Sequence, residues 1–209
     1  STPSNSSAAS DVYKRQDYGS GKRAYLSPIL DCAGEVISYA VSESQDLSMI
    51  FAMLDDIRKD TIHEGTVFHS DQGALYMSDQ FQERLRKMGL IQSMSRRGNC
   101  WDNAAMESFF GHLKDHCHFA GCATFQEVKK MIDDYIEYYN NERPQWTRLK
   151  MTPAAYARYL KEMGEQEFKA YLAKERKKYE QMITRSIEQT DKHGEHLRSV
   201  ISSFVEETR

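Results

Sequence analysis

Apolar positions along the chain switch between a period of about four and a period of two. Leu47, Ile50, Phe51, Leu54 and Ile57 recur at helical spacing, which marks an amphipathic helix. Val128, Met131, Ile132, Tyr135 and Tyr139 do the same behind Thr124-x-x-Glu127, a capping-box pattern. Asp79 and Gln82 form a second such pair ahead of Phe81, Leu85 and Met88, and Gly89 reads as the stop. A further helix is expected from near Asp102 or Asn103 to about Lys114. Between these lie strand-like runs. Ala24–Asp31 and Val36–Ser42 flank the short turn Cys32-Ala33-Gly34-Glu35, a hairpin signal. Thr66–Asp71 and Ile91–Ser95 read as two more strands. A hairpin followed by alternating helices and strands predicts an α/β fold with a mixed sheet.

The two ends depart from this pattern. Residues 1–16 are rich in Ser, Ala and Asn and lack hydrophobic periodicity, so they are expected to be disordered or non-native. Residues 161–209 carry 10 acidic and 10 basic residues, with Phe168, Leu172, Tyr179, Met182 and Ile187 at loosely helical spacing. His193-Gly194 looks like a break, after which Leu197, Val200, Ile201 and Phe204 restart the pattern. This predicts a helical extension beyond a core at 17–160. A partner helix is needed, because isolated charged helices are marginal.

Composition narrows the function classes. The chain has 209 residues, 40% of them hydrophobic and 28% charged, which suits a globular domain and argues against global disorder. No apolar run approaches the ~20 residues of a membrane helix, so no membrane partner is expected. Four cysteines do not make a disulfide scaffold, and a reducing cytoplasm is the default. The net charge of -3 means that nucleic-acid contact must come from local patches.

The chemistry concentrates in two carboxylates. Asp71, in His69-Ser70-Asp71-Gln72-Gly73, ends a buried strand, where sites on α/β sheets are built. Glu107 sits one turn into the expected helix, with 35 residues between the two. Carboxylates on separate elements can converge on hard cations such as Mg²⁺. Lys114 follows Glu107 by two helical turns on the same face, well placed for a DNA phosphate.

The surrounding strings sharpen this. HSDQG, Ser95-Arg96-Arg97-Gly98-Asn99-Cys100-Trp101-Asp102-Asn103-Ala104, Glu107-Ser108-Phe109-Phe110, Tyr138-Tyr139-Asn140-Asn141-Glu142-Arg143-Pro144 and Met151-Thr152-Pro153-Ala154-Ala155-Tyr156 together resemble the catalytic core of bacterial insertion-sequence transposases, itself similar to retroviral integrase. The resemblance covers about residues 17–160. It implies an RNase H-like mixed sheet flanked by helices and a D-D-(35)-E triad containing Asp71 and Glu107. It further implies two Mg²⁺ ions, with Mn²⁺ able to substitute, and no small-molecule cofactor. The activity implied is DNA cleavage and strand transfer by a bacterial, cytoplasmic homo-oligomer acting on element ends and target DNA. Arg96 and Arg97 are the expected DNA contacts beside Lys114, and His69, Gln72 and Asn103 are expected to position the catalytic groups. A nuclease acting on RNA–DNA hybrids is a weaker alternative.

One position departs from the family pattern. Counting back from Tyr18-Gly19, the first catalytic Asp should fall at Val12, and Asp11 stands one residue out of register. The site is therefore expected to hold two of three carboxylates, and an inactive fragment that still dimerises or binds DNA is the competing reading. Asp11–Gln16 also back-translates to a string resembling a sequencing-library adapter. Finally, His112, His116, Cys117, His118 and Cys122 offer zinc-type ligands at a spacing that matches no common finger, so a helix end and loop is the expectation there.

Overall fold

The computed structural model describes residues 7–10, 14–19, 21–57, 61–95 and 104–164, with scattered positions between 166 and 181. The chain divides into two compact units, Ser1–Glu162 and Met163–Arg209. In the second unit the described positions 166, 167, 170, 171, 173, 174, 177 and 181 are helical.

The first unit is built on a six-stranded sheet. Strand β3 (Lys22–Leu30) organises it. On one side β3 pairs antiparallel with β4 (Val36–Ser42), the hairpin expected from sequence. On its other side lie β1 (Ser7–Ser10) and β2 (Lys14–Tyr18), end to end and both antiparallel to it. Beyond β1 come β5 (Val67–Ser70) and then β6 (Ile91–Met94), each parallel to its neighbour. The mixed sheet is the one the alternating pattern predicts.

Strand β1 and the first three residues of β2 lie inside the stretch 1–16, and they form strand without any hydrophobic periodicity. The reason is physical. The slot between β3 and β5 is filled by main-chain hydrogen bonds on both sides, which need no hydrophobic periodicity, so a segment of small residues can occupy it. The pairing also slips there. Ser10 pairs with Ile29 and Lys14 with Leu26, a register offset of one residue between β1 and β2 along β3.

Helices cover both faces. On one side, α3 (Ala104–His116) and α4 (Phe125–Asn141) bury Met106, Phe109, Phe110, Leu113, Val128, Ile132, Tyr135 and Tyr139 with Leu26, Leu30 and Val36 of the sheet. On the other, α1 (Leu47–Asp55) and α2 (Asp79–Lys87) bury Ile50, Met53, Leu54, Phe81 and Leu85 with Ile29, Ile37 and Phe68. A further helix, α5 (Pro153–Glu162), follows. The α4 capping box is present: Thr124 accepts from the Glu127 N–H while the Glu127 carboxylate reaches back to the Thr124 N–H. At α2 the expected cap is corrected by one residue. Ser78 is the cap, accepting from the Phe81 N–H, because its hydroxyl reaches the third helical amide while Asp79 complements the helix dipole from within the first turn. Gly89, at φ 70°, ends that helix, a left-handed position that suits glycine. Among the described residues no helix is long and apolar enough to cross a membrane.

Candidate active site

Asp71 leaves the sheet immediately after β5, at the C-terminal end of the strand that runs parallel to both β1 and β6. Its Oδ1 accepts the Gly73 N–H at 2.8 Å. This Asx-type turn fixes the carboxylate relative to its own backbone. The Ser70 hydroxyl donates to the Asp71 carbonyl at 3.1 Å, and Asp71 is half-buried. Glu107 lies in the first turn of α3 and is exposed, as is Lys114 two turns further on. The opposite face of α3 carries Met106, Phe109, Phe110 and Leu113 into the core, so packing fixes the helix that presents both.

His69 and Gln72 are engaged in holding strands together. The His69 ring nitrogens lie 3.0 Å from the Ser93 and Ser95 hydroxyls of the β6 segment. Gln72 donates to the Ser95 carbonyl at 3.2 Å. Both therefore tie the loop that carries Asp71 to the neighbouring strand. Arg96, Arg97 and Asn103 lie outside the described residues, as do Asp11 and Val12.

The His/Cys cluster forms a helix end and loop. Cys117 and Cys122 are buried, while His116 and His118 are exposed. His116 stacks on Tyr138, with ring centroids 5.0 Å apart. Burial pushes the Cys117 thiol up to about 11. Among the described residues no group of three or more His, Cys, Asp or Glu is placed to hold a metal ion.

Two contacts at the β3–β4 turn escaped the sequence reading. Asn140, at the end of α4, accepts the Val36 N–H and donates to the Val36 carbonyl, both at 2.9 Å. Arg148 donates through Nε to the Ala33 carbonyl, and its guanidinium fills the space where a Cβ on Gly34 would stand. Both brace the β3–β4 turn. There the Asp31 carboxyl is pushed up to about 6, chiefly by burial, with the Glu35 charge adding and the Glu35 N–H and Arg148 opposing. The string Tyr138–Pro144 marks the region, but nothing in it tells which backbone groups Asn140 will meet.

The integrase core domain family matches this chain over residues 3–100 and again over residues 88–153. The chain belongs to the integrase core domain family. This integrase core is 43% identical over 139 residues to the transposase InsK of insertion sequence element IS150 from Escherichia coli K12, covering 65% of this chain and 49% of that protein. It is 40% identical over 136 residues to a transposase-like protein of Haemophilus influenzae, covering 64% and 63%. The integrase core thus spans about half to two thirds of the length of these relatives. Its fold is shared with the HTLV-2 integrase catalytic core domain, described in complex with magnesium and in a trimeric form. The TM-score is 0.55 at 15% identity, over 73% of this chain and 95% of that one.

Proposed function

We propose that this integrase core is the catalytic portion of an insertion-sequence transposase that cleaves DNA at element ends and joins the freed 3′-hydroxyl to target DNA, in the bacterial cytoplasm and as a homo-oligomer. The observation that carries the reading is the placement of the two carboxylates: Asp71 at the parallel end of β5 and Glu107 on a helix anchored across the sheet face. Their donor set suits Mg²⁺, or Mn²⁺ in its place, because such ions take one or two carboxylates and complete their shell with water and substrate phosphates. When bound, the ions supply charge neutralisation and water activation for phosphoryl transfer.

The chain's own groups do the positioning. The Gly73 N–H holds the Asp71 carboxylate, His69 and Gln72 fasten the Asp71 loop to β6, and α3 presents Glu107. Lys114, exposed on the same helix, contacts a phosphate, and Arg96 and Arg97 extend that contact. Positioning of this kind can supply much of the rate enhancement of a displacement that requires in-line geometry. The test is strand transfer by the purified chain with Mg²⁺ on a DNA substrate carrying the element ends. Asp71→Asn and Glu107→Gln should each abolish it while leaving thermal unfolding unchanged; retained activity in either variant sinks the assignment.

A second reading, an inactive core that keeps DNA binding, is favoured by Val12 standing where the first carboxylate is expected. Against it, the sheet slips by one residue between Ser10 and Lys14, the same displacement that separates Asp11 from the expected position. In sequence Asp11 follows Ser10 as Asp71 follows Ser70, and Ser10 pairs with Ser70. Cleavage that is lost in Asp11→Asn assigns the first carboxylate to Asp11. A purified chain that binds DNA without cleaving it supports the inactive core.

A further inference from the structure

Between α4 and α5 the chain makes a tip whose composition and exposure are unusual for this protein. Trp146 is 83% exposed, and Leu149 is 56% exposed. Tryptophan is a residue that folding ordinarily covers. The segment 143–161 carries Arg143, Arg148, Lys150, Arg158 and Lys161 and no acidic residue, in a chain of net charge -3.

The tip is held in place. Gln145 and Met151 form a bridge, with the Gln145 N–H donating to the Met151 carbonyl at 2.9 Å. The Arg148 and Lys150 N–H groups both donate to the Gln145 carbonyl, at 3.0 and 3.1 Å. Arg148 reaches from the tip to the Ala33 carbonyl in the β3–β4 turn. Leu149 and Lys150 sit at φ 54° and 61°, a left-handed conformation that is costly for residues other than glycine and tends to persist where the surroundings impose it. That conformation carries the Lys150 ammonium to 4.6 Å from the Trp146 ring centroid, a cation–π distance. The lysine covers one face of the indole, and the ring stays open to solvent otherwise.

An exposed, pre-oriented aromatic ring with a lysine against it, on a segment without acidic residues, suits single-stranded nucleic acid: the ring stacks on a base and the cation meets the backbone. We infer that the Trp146 tip is a DNA-binding element, with Trp146 stacking on an unpaired base of a DNA strand and Lys150 contacting its phosphate. The inference rests on the DNA-processing reading above and adds a contact outside the carboxylate site. Charge decides against a second copy of the chain as the occupant. In a two-fold contact the same patch meets itself, which would set basic tip against basic tip.

The test uses the full chain at low salt, a labelled sixteen-nucleotide oligo-dT and a blunt duplex. Affinity is read by anisotropy, and Trp146 emission by the difference between the parent and Trp146→Phe. Oligo-dT should quench the Trp146 component. Trp146→Ala should weaken oligo-dT binding about tenfold with unchanged thermal unfolding, and Trp146→Phe should retain most of the affinity. Oligo-dT binding with no change in Trp146 emission and equal affinity in Trp146→Ala overturns the tip assignment and leaves the DNA-processing reading standing. Failure of both DNAs to bind overturns both. An emission change that follows protein concentration without DNA shows a self-association surface and also overturns the assignment.

Discussion

Strand β4 is the outer strand on its side of the sheet, paired only with β3 among the described strands. An outer strand leaves main-chain groups without a neighbour. At Val36, 6% exposed, Asn140 supplies the missing neighbour, its amide meeting N–H and C=O at 2.9 Å each as a further strand would. Asn140→Ala removes both partners at once. Two such bonds are worth about 1 kcal/mol each net, and a buried group left unpaired costs about 1–3 kcal/mol. Because Asn140 is half-buried, water can recover part of the loss, which leaves about 2–3 kcal/mol. At a urea dependence of about 2 kcal/mol per molar, the unfolding midpoint of the core, followed by circular dichroism, should fall by on the order of 1 M with an unchanged slope. Asn140→Asp keeps an acceptor for the N–H but sets a carboxylate oxygen against the Val36 carbonyl, so it should not rescue. A loss below about 0.5 kcal/mol in the alanine variant would refute the argument, since solvent would then satisfy Val36 as well as Asn140 does.

Two further predictions concern the same region. The Asp31 carboxyl is raised from 3.8 to about 6 in the folded protein, so the folded state holds the proton more tightly than the unfolded state. Its contribution to stability is present below about pH 4 and is lost as pH rises to about 6, by about 2 kcal/mol. Asp31→Asn, which keeps an acceptor for the Glu35 N–H, should flatten the melting temperature against pH over that window relative to the parent; parallel profiles would refute the assignment. Leu149→Gly should raise the melting temperature slightly, because relief of the left-handed backbone, about 1–2 kcal/mol, outweighs the entropy glycine costs, about 0.5–1 kcal/mol; a lower melting temperature would show that Leu149 packs usefully where it stands.

Much of the fold was written in local pattern. The β3–β4 hairpin, the α1 and α4 faces and the Thr124 capping box follow from side-chain periodicity and from donors and acceptors a few residues apart, which are properties of a single segment. Asp71 and Glu107 stand out as candidates in the sequence alone, because their neighbours form recognisable strings. Tertiary structure decided what depends on partners far along the chain. Ser7–Ser10 has no hydrophobic signature, and it became a strand because β3 and β5 offered it main-chain bonds on both sides. That His69 and Gln72 would meet Ser93 and Ser95 could not be read from their own strings. Asn140 and Arg148 meet backbone groups of Val36 and Ala33, and backbone groups are the same at every residue. A sequence records which side chains can pair, but which main-chain groups lie unpaired within their reach is settled only when the sheet and helices are packed.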